Sequence, residues 1–242
     1  MRRQSVVCEL GPSSGLAAVV ETPGPLPTPP PRNNPRLSSV AACMSSHDTA
    51  VSDDALAVLF TDAHTARSFR DEPAPIEQVR RAYDNARWAP TALNSQPMRL
   101  DLLASPEARQ RLAPLMAGMN QEPVLGAPLV LIISADLALD QSMRELGTSE
   151  QMLERLAGSL EMRQGLARDS ALIQLGYLVL ALRAEGLDVG VMTGADLPGI
   201  DAEFHADRPW QTIAVVCVGH GDADAFHPRA GRHDFDAVSQ VL

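Results

Sequence analysis

Apolar residues recur at helical spacing in several stretches of the chain after residue 50. The first has an apolar face that includes Leu56 and Phe60, and either Ser52 or Asp53 can cap it. The second opens on Pro75, a residue suited to the first helical turn. With three further stretches they predict helices over residues 52–64, 75–88, 106–116, 142–158 and 167–185.

The stretch 167–185 differs from the others because it is apolar around most of its circumference, with Leu172, Ile173, Leu175 and Leu178 spread over all sides. A helix of this kind packs inside a core. Gly186 follows it and is the expected left-handed C-cap.

Runs of apolar residues between these helices predict strands. The predicted strands are 98–104, the run LVLIISAD from Leu129, the short segment 187–192, and the run TIAVVCVGHGD from Thr212. The last twenty residues show no such pattern, and we predict an irregular arm there. Taken alone, this mixture of helices and strands favours a three-layer α/β sandwich.

The first 43 residues hold eight of the 19 prolines and show no sustained periodicity, which predicts a disordered extension. They lack a continuous apolar stretch and carry Glu9 and Glu21, so they do not resemble a secretory or transit peptide. Either the chain begins in nature at Met44 and the extension is an over-long gene start, or the extension is a flexible tail. We therefore divide the chain into an extension, 1–43, and a folded domain, 44–242.

Charge and residue usage exclude several classes of function. The formal net charge of −10 opposes binding to nucleic acid or an anionic membrane, and no apolar run approaches the roughly 20 residues of a membrane span. All 20 lysine-plus-arginine residues are arginine, so lysine Schiff-base, lysine-nucleophile and P-loop mechanisms are excluded.

Three cysteines, Cys8, Cys43 and Cys217, do not suggest a disulfide framework or a cysteine-rich metal site. We expect a cytoplasmic protein that binds a small molecule.

The segment HTARSFRDEPAPIEQV places His64, Thr65 and Arg67 together at the end of the first predicted helix. Donors gathered at one point can hold a phosphate, and arginine adds charge-assisted hydrogen bonds. A solvated surface turn is the alternative interpretation of this segment.

The segment ARWAPTALNSQPMRL returns from a helix into a strand through a loop that offers Thr91, Asn94, Ser95 and Gln96. An amide such as that of Asn94 both donates and accepts hydrogen bonds, which matches the edge of a ring such as a flavin. Ordinary turn chemistry is the alternative, because Asn and Ser favour loops.

The segment EGLDVGVMTGAD carries Gly186, Gly190 and Gly194 after the long apolar helix. Glycine permits a close approach of the backbone to a planar ligand. A C-cap followed by a loop glycine would give the same pattern.

In this order and spacing, the parts HTARSF, APTALNSQP and GLDVGVMTG resemble the motifs of the nitroreductase family, and the resemblance extends over about residues 55–242. The chain departs from the general motifs at Ala63 and His64, where the family has its first and second arginines, and at Met98, where many members have tryptophan. The stretch ALAVLFTDAHT, the GLD-G-MTG-D pattern and the ending VGHGD are similar to the malonic semialdehyde reductase branch of the family.

The resemblance implies an α+β fold with a mainly antiparallel central sheet wrapped by helices, in a domain-exchanged homodimer with FMN at each interface. It also implies an FMN-dependent oxidoreductase that takes electrons from NADH or NADPH and reduces malonic semialdehyde to 3-hydroxypropionate in pyrimidine degradation. The chain has no G-x-G-x-x-G turn, which fits a ping-pong cycle in which nicotinamide and substrate occupy one place in turn. A broad nitro or quinone reductase and a flavin-binding protein without turnover remain open.

The resemblance also assigns roles to residues. His64, Thr65 and Arg67 would hold the FMN phosphate and ribityl end, completed by Arg229 and Arg232 of the C-terminal arm. Thr91 and Asn94 would contact the flavin from the partner's loop. At the ring, the implied contacts are the Met192 side chain and the Thr193 and Gly194 backbone N–H groups near N5.

No general acid or base is assigned. His205 and His220 are more typical of structural or solvated histidines than of catalytic ones. Arg99 or Arg163 could steer a substrate carboxylate, and the sequence does not select between them.

Overall fold

The computed structural model describes residues 50–242, so the predicted extension over residues 1–43 lies outside the described residues. Helices outnumber strands along the described chain. They are α1 (Asp53–Leu56), continued by a π-helical turn (Ala57–Thr61), α2 (Ile76–Ala86), β1 (Met98–Leu103), α3 (Pro106–Leu112), α4 (Gln121–Gly126), β2 (Leu129–Asp136), α5 (Leu139–Glu145), α6 (Glu150–Ala157), α7 (Leu160–Ala184), β3 (Asp188–Met192), α8 (Leu197–Phe204), β4 (Trp210–Gly219) and α9 (Phe235–Val238).

The four strands form one sheet in the order β1-β2-β4-β3, and each neighbouring pair is antiparallel. Every residue of the central strand β2 is buried. A strand covered on both faces needs apolar side chains on both, which explains the continuous run LVLIISAD. The sheet therefore has helices on both sides.

Alternation along β2 divides the core into two clusters. Leu131 and Ile133 point to the side that carries α2, α5, α6 and α7, whereas Val130 and Ile132 point to the side that carries α3, α4 and α8. The three layers expected from the hydrophobic pattern are therefore present. The α/β part of that expectation is wrong, because the strands are antiparallel, and the α+β fold implied by the resemblance is confirmed.

Helix α7 is the longest element, with 25 residues. It packs through one side, including Leu178 and Leu182, and leaves Leu172, Ile173 and Tyr177 exposed on the other. Among the described residues it is the one helix long and apolar enough to cross a membrane, by length and composition alone. Its packing against the sheet and α2 is that of the core helix of a soluble fold.

Several predicted boundaries are corrected. The first helix ends at Thr61 rather than near residue 64. The helix predicted over 142–158 is two helices, because Gly147 adopts a left-handed φ of 91° and closes α5. Helix α7 begins at Leu160, seven residues before its predicted start, where Ser159 caps it by accepting a hydrogen bond from the Met162 N–H. The sequence analysis missed α4 and α8, whose prolines and glycines obscure their short apolar faces.

Gly186 ends α7 as predicted, with a left-handed φ of 80°. Its N–H donates to the Arg183 carbonyl at 2.9 Å, and the N–H of Leu187 donates to the Leu182 carbonyl at 3.1 Å. This Schellman arrangement turns the chain directly into β3.

Candidate cofactor-binding site

The segment after the first helix runs beside β3 and brings the predicted phosphate ligands to the edge of the sheet. The Ala66 N–H donates to the Val189 carbonyl at 3.1 Å, and the Arg67 N–H donates to the Ala225 carbonyl at 3.1 Å. Ala66 is buried, whereas Thr65 and Arg67 are exposed on either side of it. Alternation therefore directs these two side chains away from the core.

A basic cleft of about 340 Å³ opens at this edge. It contains all five residues that the sequence analysis assigned to the phosphate end: His64, Thr65, Arg67, Arg229 and Arg232. Its other lining residues are Ala63, Arg183, His227, Pro228 and Ala230. Since four of the lining residues are arginines and none is acidic, the cleft has the charge that a phosphate requires.

Arg229 ties the C-terminal arm to the end of the first helix. Its Nη2 donates to the carbonyl oxygens of Thr61 and Ala63, the latter at 2.8 Å. Arg232 instead donates to the carbonyls of Ala230 and Gly231, which adjoin it in the chain. Both arginines therefore line the same cleft, but Arg229 is bound to the end of the first helix and Arg232 only to its own neighbours in the chain.

A second cleft, of about 240 Å³, joins the basic one because both are lined by Thr65 and Arg67. One wall is the end of β3, including Met192 and Thr193, and the opposite wall is the turn before α4, including Met119 and Asn120. We call it the flat cleft. Met192 and Thr193 are therefore on the same surface as the predicted phosphate ligands.

Gly194 lies just beyond the lining of the flat cleft. Its carbonyl accepts hydrogen bonds from the Ala117 N–H and from Asn120 Nδ2, both at 2.9 Å. An added Cβ at Gly194 would lie 2.9 Å from the same Asn120 nitrogen, and one at Gly190 would lie 2.6 Å from the Ala66 carbonyl oxygen. At Gly190 the close neighbour is backbone, so packing within the protein requires a glycine there, whereas at Gly194 it is the end of the Asn120 side chain.

The loop that carries Thr91 and Asn94 lies apart from both clefts in this chain. Thr91 Oγ1 accepts from the Gln96 N–H at 3.2 Å, and Gln96 Nε2 donates to Asn94 Oδ1 at 2.9 Å. Asn94 lines a separate surface depression beside Trp88 and Leu146. The structure therefore does not bring these two predicted residues together with the others within one subunit.

Residues 61–220 of the chain match the nitroreductase family. The chain belongs to that family. A protein of Leptothrix cholodnii named "Putative NADH dehydrogenase/NAD(P)H nitroreductase" is 39% identical over 189 residues, which cover 78% of this chain and 96% of that protein. A Streptomyces coelicolor protein described in the same words is 38% identical over 182 residues, covering 75% of this chain and 92% of that protein.

Solved structures of nitroreductases share the fold of this chain. The nitroreductase family protein of Streptococcus pneumoniae superposes with a TM-score of 0.67 at 23% identity, covering 76% of this chain and 98% of its own. A protein of Exiguobacterium sibiricum, described as a "putative nitroreductase in complex with FMN", superposes with a TM-score of 0.66 at 20% identity, covering 80% of this chain and 100% of its own.

The two histidines considered for catalysis in this nitroreductase family member both contact acidic side chains. His205 is buried, with Nε2 2.8 Å from Asp101 Oδ2 and Nδ1 3.3 Å from Asp201 Oδ1. His220 Nδ1 lies 2.7 Å from Glu72 Oε2. Neither histidine lines the basic cleft or the flat cleft.

The two arginines considered for a substrate carboxylate already have acidic partners. Arg99 Nη2 lies 2.7 Å from Asp136 Oδ2, and Arg163 Nη2 lies 2.9 Å from Asp140 Oδ1. Arg67 is the one charged residue among those that line the flat cleft. A carboxylate that enters this cleft in one subunit therefore meets Arg67.

The sequence analysis of the nitroreductase motifs missed Arg183, His227, Met119 and Asn120. None of them belongs to a motif segment, and they come from three parts of the fold: the end of α7, the C-terminal arm and the turn before α4. Cys217 also lines the flat cleft, where burial raises the pKa of its thiol to about 12. The thiol is therefore protonated at neutral pH and does not act as a nucleophile.

Proposed function

We propose that this chain is an FMN-dependent NAD(P)H oxidoreductase. The proposal depends above all on one observation: a cleft lined by four arginines and no carboxylate opens into a flat cleft beside β3, through Thr65 and Arg67. FMN joins a phosphate to a ring system, so the two joined clefts could hold its two parts. The FMN complex described for the Exiguobacterium sibiricum neighbour and the names of the curated relatives support the same cofactor and electron donor.

In this proposal, each predicted residue acts on a stated part of the cofactor. Arg67, Arg229 and Arg232 bind the phosphate, with His64 and Thr65 beside them at the ribityl end. Met192 and Thr193, with the adjoining Gly194, flank the ring. Bound FMN would supply the hydride chemistry, while the protein positions it. The hydrogen bonds on the Gly194 carbonyl keep this end of β3 in place.

We further infer that the working form is a homodimer in which Thr91 and Asn94 reach the cofactor from the partner subunit. Their separation from the clefts within one chain supports this arrangement. The loop also holds Leu93, Asn94 and Gln96 at positive φ values of 55°, 53° and 42°. Such conformations cost about 1–3 kcal/mol each and cluster at functional sites.

For the substrate, we propose malonic semialdehyde, with 3-hydroxypropionate as the product. The branch motifs support it. A nitro or quinone reductase is the second candidate. The names of the curated relatives favour it.

The test is a parallel steady-state comparison of malonic semialdehyde, a nitroaromatic and a quinone, each with NADH and NADPH. We expect the semialdehyde to give the highest kcat/KM. Turnover of the nitroaromatic or quinone without turnover of the semialdehyde would reject the substrate assignment and leave the oxidoreductase assignment intact. A flavin that neither nicotinamide reduces would indicate a flavin-binding protein without turnover.

A further inference from the structure

We propose that Arg183 is a phosphate ligand of this chain and takes the place of the arginine that the family motif would put at Ala63. The inference rests on the proposed function. Arg183 lies in the last turn of α7, far in sequence from the three motif segments. It nevertheless lines the basic cleft together with Ala63 and Arg229.

The position of Arg183 is fixed by the end of the first helix. Its Nη1 donates to the Leu59 carbonyl at 3.1 Å, while Arg229 donates to the carbonyls of Thr61 and Ala63. The C-terminal end of a helix presents unpaired carbonyls with partial negative charge, which attract cations. The same helix end therefore holds two guanidinium groups at the wall of the basic cleft.

The remaining donors of Arg183 are not fully used by the protein. Its Nε is buried and has no acceptor among the described residues. A buried donor without a partner is costly and calls for an explanation. Arg183 also lines the basic cleft, so its guanidinium group lies beside any anion that binds there.

The charged residues near Arg183 also favour a bound anion. Burial is the largest cause that lowers the pKa of Arg183, and the positive charge of Arg229 lowers it further, while Asp188 acts in the opposite direction. An arginine nevertheless keeps its charge in proteins. Asp188 already accepts a hydrogen bond from the Gly221 N–H at 2.8 Å and does not line the cleft. A phosphate dianion between Arg183 and Arg229 would relieve their mutual repulsion.

The test compares FMN with riboflavin, which lacks the phosphate, on the full-length chain. In the variant Arg183→Gln we expect the Kd for FMN to rise about 10- to 100-fold, because a charge-assisted partner is lost, and the Kd for riboflavin to stay unchanged. Arg80→Gln is the matched control, since Arg80 is exposed and lines neither cleft. Flavin fluorescence titration gives both constants.

A structural role for Arg183 would have a different signature. Equal weakening of FMN and riboflavin, or no weakening of either, would overturn the inference. If Arg183→Gln fails to fold by circular dichroism, Arg183→Lys keeps the charge and a donor for Leu59, and we expect a smaller loss that is again confined to FMN. A wild-type chain that binds neither flavin would overturn the proposed function itself, whereas normal FMN binding by Arg183→Gln rejects only the role of Arg183.

Discussion

The arginines of the basic cleft differ in whether the sequence alone could assign them to it. Arg67, Arg229 and Arg232 could be assigned from the sequence because the motif segment and the C-terminal arm carry them at family positions. Arg183 could not, because only the packing of α7 against the first helix brings it to the cleft. The same holds for Asn120, whose contact with Gly194 joins residues 74 apart in the sequence.

Arg229→Ala and Arg232→Ala should each raise the Kd for FMN about 10- to 100-fold, since each removes a charged partner of the phosphate. Their effects on the protein without FMN should differ. Arg229→Ala also releases the Thr61 and Ala63 carbonyls and should lower Tm by about 2–4 °C. Arg232→Ala breaks only contacts with adjacent residues and should leave Tm unchanged. Unchanged FMN affinity in both variants would refute their assignment to the phosphate.

Helix α7 shows how far hydrophobic periodicity predicts an element. Its all-round apolar character and its C-cap at Gly186 were evident in the sequence, and both are confirmed. Its true start was not, because Leu160 and Met162 in the first turn are exposed and follow no core-facing spacing, and the start depends on the cap at Ser159. The hydrophobic pattern also could not predict the order of the strands in the sheet, because that order depends on long-range pairing between β2 and β4.

We propose the exposed side of α7 as the dimer interface, because Leu172, Ile173 and Tyr177 leave apolar surface uncovered there. Ile173 is 44% exposed in the single chain, so Ile173→Asp should be tolerated by a monomer but would bury a charge in a dimer. We expect light scattering to give a dimer mass for the wild type and a monomer mass for the variant. The variant should also bind FMN more weakly, because Thr91 and Asn94 would no longer be supplied by a partner.

The control for this experiment is Leu125→Asp. Leu125 is 48% exposed on α4, on the opposite side of the sheet from α7, and its substitution should leave the dimer intact. A monomeric wild type that binds FMN fully would contradict the dimer proposal. An Ile173→Asp variant that remains dimeric would instead reject the exposed side of α7 as the interface.

At the scale of the whole molecule, the fold places the ends of three separate chain segments at one edge of an antiparallel sheet. The segment at Thr65, the end of β3 and the C-terminal arm meet there and form the two joined clefts. The loop at Asn94 lies elsewhere. The sequence motifs could predict that these segments share a ligand, but not which of them meet within one subunit, because motif order carries no information about distance.

The central claim is that this nitroreductase family member carries FMN and passes electrons through it. The most direct measurement is the absorbance spectrum of the purified full-length chain after incubation with FMN and gel filtration, followed by anaerobic addition of NADH or NADPH. We predict a stoichiometric flavin spectrum that at least one nicotinamide bleaches. A protein that remains colourless after incubation with FMN would contradict the claim, and so would a bound flavin that neither nicotinamide reduces.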